Sequence, residues 1–154
     1  MPLGPWLELD DQLLLDGEDC RVTARLVGRA DRLTFQRLTV RPQLGGEAQT
    51  LLQLEDAVLQ AQAIAPEELA GETALLEGRV FALRWEGDVR IERGAVDART
   101  TFWRGRCRWF EAADGSVAVL IDERHDRDAL LGVPMAPGRI DLSFTEGLRR
   151  GGRG

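Results

Sequence analysis

The chain has 154 residues and a mass of 17.1 kDa, which suits one core burying roughly 70% of its unfolded surface without help from disulfide or metal. All 20 basic side chains are arginine, and Lys, Asn and Tyr are absent; that usage reflects a genome rich in G and C more than it does a chemistry. The formal charge of −6 argues against a dedicated duplex-DNA or anionic-membrane protein, since both need a basic field.

Residues 1–20 carry six acids and no arginine, and residues 42–78 carry seven acids and again none. Such segregation predicts acidic surfaces folded against arginine-bearing strands. The first residues lack the basic and apolar regions of a signal peptide, and no apolar run approaches the ~18 residues of a spanning helix, so a bacterial cytoplasmic location is expected. Cys20 and Cys107 lie in alternating stretches and read as buried small hydrophobes, not as a disulfide or zinc pair.

Leu14-Leu15-Asp16-Gly17 recurs as Leu75-Leu76-Glu77-Gly78, with apolar residues at matching positions after each glycine: Cys20, Val22 and Ala24, then Phe81, Leu83 and Trp85. Each copy reads as strand, acid-glycine turn, strand. Duplication and two hairpins built by the same turn chemistry both explain the match. Further along, Leu33, Phe35 and Leu38 to Val40 mark a strand ended by Pro42 and Gly45-Gly46. Residues 49–64 combine helix-favouring composition with alternation at Leu59, Ala61 and Ala63. Pro66-Glu67-Glu68-Leu69 suits the first turn of a short helix. Glu86-Gly87-Asp88 reads as a turn between strands at Phe81–Trp85 and Val89–Ile91. Ile140, Leu142 and Phe144 alternate after Pro137-Gly138.

The segment Glu77-Gly78-Arg79-Val80-Phe81-Ala82-Leu83, with Asp114-Gly115 leading into Ala118-Val119-Leu120-Ile121 and with Leu131-Gly132-Val133-Pro134, resembles a bacterial family known as domain-of-unknown-function family four-one-seven-eight. The likeness covers mainly residues 70–145. It implies an all-β domain with no assigned activity, and it tips residues 49–64 toward strands.

The sharpest local pattern runs from Thr100 to Phe110. Trp103, Cys107 and Trp109 fall on one side, and Arg104, Arg106 and Arg108 on the other. A three-residue loop of Ala113, Asp114 and Gly115 sets Trp109 opposite Val119, Cys107 opposite Ile121 and Arg106 opposite Asp122. That register makes Trp103, Trp109, Val117, Val119 and Ile121 core and gives Arg106 a cross-strand carboxylate. Phe102, Arg104, Arg106, Arg108 and Phe110 form the candidate partner or ligand face. A single-strand nucleic-acid platform would use such cations and rings, whereas a salt-paired, solvated face is the plainer explanation.

His125 lies among carboxylates at spacings that fit neither an EF-hand nor a zincin, as a charged connection would. No catalytic triad or phosphate loop is legible, so no catalytic residue, cofactor or metal site is assigned. The four tryptophans suit core filling better than a ligand cavity. The expectation is a single all-β domain over residues 1–147, either a partly closed antiparallel barrel or two packed sheets, with pseudo-repeat halves 1–70 and 71–147, at most one or two short helices and a disordered tail at 148–154. Its expected role is a non-catalytic binding or assembly module. A barrel holding a small apolar ligand is the first alternative, and a single-strand nucleic-acid binder the second. A protein partner or self-association is left open, membrane is excluded and nucleic acid is disfavoured.

Overall fold

In the computed structural model, which describes residues 6–124, 126–136 and 138–142, the chain is all-β. The strands are β1 (Gln12–Leu15), β2 (Glu18–Arg29), β3 (Thr34–Pro42), β4 (Gln49–Gln53), β5 (Val58–Ile64), β6 (Thr73–Leu76), β7 (Arg79–Ala95), β8 (Ala98–Ala112), β9 (Val117–Glu123), β10 (Asp126–Pro134) and β11 (Ile140–Asp141). Residues 49–64 are thus two strands. Pro66–Leu69 forms one 3-10 turn with Glu67 and Glu68 in it. The hydrogen-bonded order is β11-β1-β2-β3-β4-β5-β10-β9-β8-β7-β6, and a further β2–β7 pairing closes β2–β5 and β7–β10 into an eight-stranded antiparallel barrel.

Two runs of five strands, β1–β5 and β6–β10, are each laid down in chain order and meet at both β5–β10 and β2–β7. Their opening hairpins share one turn chemistry. Asp16 and Gly17 have φ of 52° and 79°, and Glu77 and Gly78 have 49° and 76°. This is the doubly left-handed turn whose twist matches that of paired strands. Each run is then covered on its outer face. Leu7, fully buried, packs with Leu13, Leu15, Leu38 and Leu51, held by Gln36, whose amide donates to the Leu7 carbonyl at 2.9 Å, and by its own N–H to Gln53 at 3.0 Å. On the other run Leu69 packs with Leu76, Phe81, Phe110, Leu120 and Leu131.

The lumen is filled by a third cluster, including Leu26, Phe35, Leu52, Leu59, Ile91, Cys107, Trp109, Val119, Ile121 and Leu130. Phe35 and Trp109 rings meet at 5.3 Å between centroids. Three glycines mark places where a neighbour takes the space of a missing side chain. A Cβ at Gly28 would lie 2.5 Å from the Phe35 ring, one at Gly105 would lie 2.7 Å from the Asp122 carbonyl, and one at Gly132 would lie 3.1 Å from both Leu52 and Leu59. Beyond Leu26 the lumen turns ionic: Arg37 lies 3.7 Å from Asp128, and Arg93 bridges Glu123 and Asp128. Burial lowers the pKa of Arg37, against the opposing pull of Asp128.

The hairpin around Asp114-Gly115 has the expected register, with Trp109↔Val119, Cys107↔Ile121 and Arg106↔Asp122, and Gly115 takes φ +91°. Cys20 and Cys107 are buried free thiols. Ile140–Asp141 is a strand and Leu142 is buried; Pro137, Phe144, His125 and the 148–154 tail lie outside the described residues.

Four expectations are corrected. Glu86-Gly87-Asp88 is no turn, because β7 runs through it paired to Arg108, Cys107 and Arg106 of β8. The glycine serves packing instead, since the Trp85 ring sits where its Cβ would be, at 2.8 Å. Trp103 is 44% exposed because β9 has left β8 before reaching it. Arg106 stands opposite Asp122 in register, yet its ion pair is with Asp88 on the other side, while Asp122 lies near Arg127. Finally, the acidic 42–78 block does not lie against arginines as a whole: among the described residues its one ion pair is Glu77 with Arg79.

Candidate functional site

One side of β8 changes character along its length. From Arg106 to Glu111 it is hydrogen-bonded to β7 on one edge and β9 on the other. From Ala98 to Arg104 it has β7 alone, all seven residues are exposed, and no strand among the described residues takes up the second edge. Such an edge presents unpaired N–H and C=O groups to any extended chain that approaches.

The five residues of the candidate face divide at this point. Phe110 is fully buried beneath Leu69 and Leu76, so it is core. The Arg108 guanidinium donates to Glu86 at 2.9 Å and to the Gly71 carbonyl, and lies 5.5 Å from the Phe110 ring centroid. Arg106 donates to Asp88 at 3.1 Å. These two cations are neutralised. Arg104 has no carboxylate partner among the described residues, and Phe102 beside it is 71% exposed.

Two arginines outside this stretch join Arg104, Arg90 from the adjoining strand and Arg29 from far away in sequence. The β2–β7 closure sets Arg29 opposite Arg90, and β7–β8 pairing sets Arg90 opposite Arg104. Residues directly opposite share a face, so three guanidinium groups stand in a row across three strands. Arg29 reaches Glu92 at 3.2 Å, but Arg25 claims the same carboxylate at 3.1 Å. Arg90, like Arg104, has no carboxylate partner among the described residues. A groove of about 520 Å³ runs between Arg29, Arg90, Phe102, Trp103 and Arg104, with Glu92 its one acidic residue. The Arg124 guanidinium lies 5.4 Å from the Trp103 ring centroid and flanks it.

A larger cleft of about 1060 Å³ lies between the Asp16-Gly17 turn and the 42–50 loop. Three of its charged groups are already engaged: Arg139 makes a two-point contact with Asp16 at 2.7 and 3.0 Å, and Glu77 accepts from Gln62; Glu18 and Glu47, which also line it, have no ion-pair partner among the described residues. That contact holds the Asp16 carboxyl below its usual range and raises Arg139. Among the described residues no group of three or more His, Cys, Asp or Glu is placed to hold a metal. Comparison with known proteins finds no match among family models, curated proteins or solved structures.

Local reading of the sequence found Phe102 and Arg104 but missed Arg29 and Arg90. Arg90 reaches the site through β7–β8 pairing, hidden in the sequence by the turn-like Glu86-Gly87-Asp88, and Arg29 through a closure between strands some sixty positions apart. The repeat was the available signal, because equivalent strands of two joined halves are candidates to pair with each other.

Proposed function

We propose that the chain is a non-catalytic binding module that accepts an extended acidic segment of a protein partner along the open edge of β8, using Arg104 for a carboxylate, Arg90 and Arg29, one and two strands behind it, for the positive field that draws the segment in, and Phe102 and Trp103 for its apolar side chains. The observation that carries this reading is the arginine row. Like charges directly opposite one another in a sheet are destabilising, and among the described residues Glu92 alone makes an ion pair with a member of this row. An anionic partner relieves that repulsion, and guanidinium groups bind carboxylates by paired, charge-assisted hydrogen bonds. The open edge adds main-chain hydrogen bonds, as in strand addition. Trp and Arg are also among the residue types that dominate interface energetics, and Phe is enriched in interfaces.

The alternatives draw less support. A small apolar ligand in the barrel would have to displace Phe35, Trp109 and the side chains packed over Gly28 and Gly132. A nucleic-acid strand would use the cations and rings but not the strand edge, and it would meet a chain of net charge −6. The bacterial cytoplasm and the family resemblance over residues 70–145 belong to the same proposal. No helix among the described residues is long and apolar enough to cross a membrane, a statement that concerns helices alone.

The test is titration with a synthetic eight-residue peptide carrying apolar residues between two glutamates, in ~0.15 M salt, which screens distant surface charge. Binding should be lost in Arg104→Glu, weakened in Arg90→Glu, which lies one strand behind the edge, and kept in Arg106→Glu, whose site is already paired. Binding of a single-stranded oligonucleotide in place of the peptide would transfer the site to nucleic acid.

A further inference from the structure

A second open strand edge, that of β6, is complementary to this one. β6 ends the sheet, so its outer edge is unpaired among the described residues. The equivalent strand β1 is covered there by β11, with Leu14↔Asp141 and Leu15↔Ile140. The difference shows in the side chains. Leu14 is half-buried, whereas Leu75, at the same place before its turn, is 72% exposed, and its cross-strand partner Val80 is 68% exposed. This apolar pair is flanked by exposed Glu72 and Glu77. Glu67, Glu68 and Glu72 have no ion-pair partner among the described residues, so the surroundings of β6 carry free negative charge.

On β8 the open stretch is bounded by Arg99 and Arg104, both exposed and without a carboxylate partner among the described residues. Each edge therefore carries two like charges five residues apart, of opposite sign on the two edges. An antiparallel register that sets Glu72 opposite Arg104 also sets Glu77 opposite Arg99, with Ala74 against Phe102 and Leu75 against Thr101, diagonal to Trp103. Cross-strand and diagonal neighbours of this kind are within side-chain reach.

Building on the reading of β8 above, we propose that its occupant is β6 of a second copy of this chain. Pairing two copies through β6 alone would oppose Glu72 to Glu77, and through β8 alone Arg99 to Arg104, so each self-pairing is repelled. The β6–β8 contact is instead heterologous. Each copy then still offers one edge of each kind, and association continues head to tail. Glu77 already accepts from Gln62 and lies 3.7 Å from Arg79, so Glu72 is the carboxylate most at liberty to bind.

Sedimentation velocity over a range of concentrations tests this. The wild type should gain mass as concentration rises and lose it as salt rises. Glu72→Arg alone and Arg104→Glu alone should each remain monomeric, and the double variant, with the charges exchanged, should associate again. Both positions are exposed, and an unchanged circular dichroism spectrum confirms that each variant is folded. A wild type that stays monomeric at every concentration overturns the proposal, as does association that survives both single reversals. If the wild type is monomeric yet the glutamate-flanked peptide still binds, the second copy is ruled out while β8 stands as a strand-accepting edge; if the peptide does not bind either, both readings fail.

Discussion

The two ends of the β7–β8 ribbon share a backbone conformation and an alternating pattern, yet they differ in almost every energetic respect. Near the Asp114 turn β8 has strands on both sides, a lumen beneath it and carboxylates opposite its arginines. Near Ala98 it has one neighbouring strand, exposed rings and arginines facing arginines. The difference teaches that alternation assigns a face to each residue but does not say whether that face is covered. Coverage depends on where the next strand ends, and β9 ends its ladder with β8 at Arg106↔Asp122.

The largest expected effect separates the two ends through their tryptophans. Trp109→Ala should cost about 3–5 kcal/mol, the usual range for a buried aromatic, whereas Trp103→Ala should shift the urea midpoint by less than about 1 kcal/mol-equivalent, as exposed positions do. Equal losses would erase the distinction. Next comes Gly105→Ala at the junction. Its Cβ would press on the Asp122 carbonyl and, at 2.9 Å, on Ile91, and overpacking of this kind costs about 1–3 kcal/mol.

Thiol chemistry gives a third contrast. Burial pushes the Cys107 thiol up to about 12, so a thiol reagent at neutral pH should modify it only on unfolding. A cysteine placed at Thr101 on the open end should react at once.

Acid probes the closed end. Hydrogen bonding to Arg79, then to Ser116, lowers the Asp114 carboxyl from 3.8 to about 2. A depressed carboxylate contributes stability that is complete above its unfolded pKa and disappears as pH falls through the folded one. The Asp114 contribution should therefore vanish between about pH 4 and pH 2, and Asp114→Asn should flatten that part of the acid-stability curve.

The smallest effect differs in sign. Arg106→Ala removes an exposed ion pair with Asp88 and should cost no more than about 0.5 kcal/mol. Arg90→Ala relieves repulsion from two neighbours and should raise the midpoint slightly. A loss at Arg90 would show that its charge is already balanced.

The hairpin joining Trp109 to Val119 was legible because its loop, its glycine and its apolar alternation are all local, and they agree. The acid-glycine turns at Asp16 and Glu77 were legible for the same reason. Glu86-Gly87-Asp88 misled because turn-like composition there serves a different purpose, room for the Trp85 ring. Trp103 misled because nothing local marks the end of β9. Arg29 and Arg90 were invisible as a pair because their meeting depends on barrel closure, a contact between strands distant in the chain, and so the arginine row was seen at one of its three members.

The central claim is that Ala98–Arg104 is a vacant place for a strand. Backbone amide hydrogen exchange across β8, measured free and saturated with the glutamate-flanked peptide, tests it most directly. The account predicts that in the free protein alternate amides from Ala98 to Arg104 exchange fast while Cys107 to Phe110 are protected, and that the peptide slows those exposed amides and no others on β8. Peptide binding that leaves their exchange unchanged would contradict it.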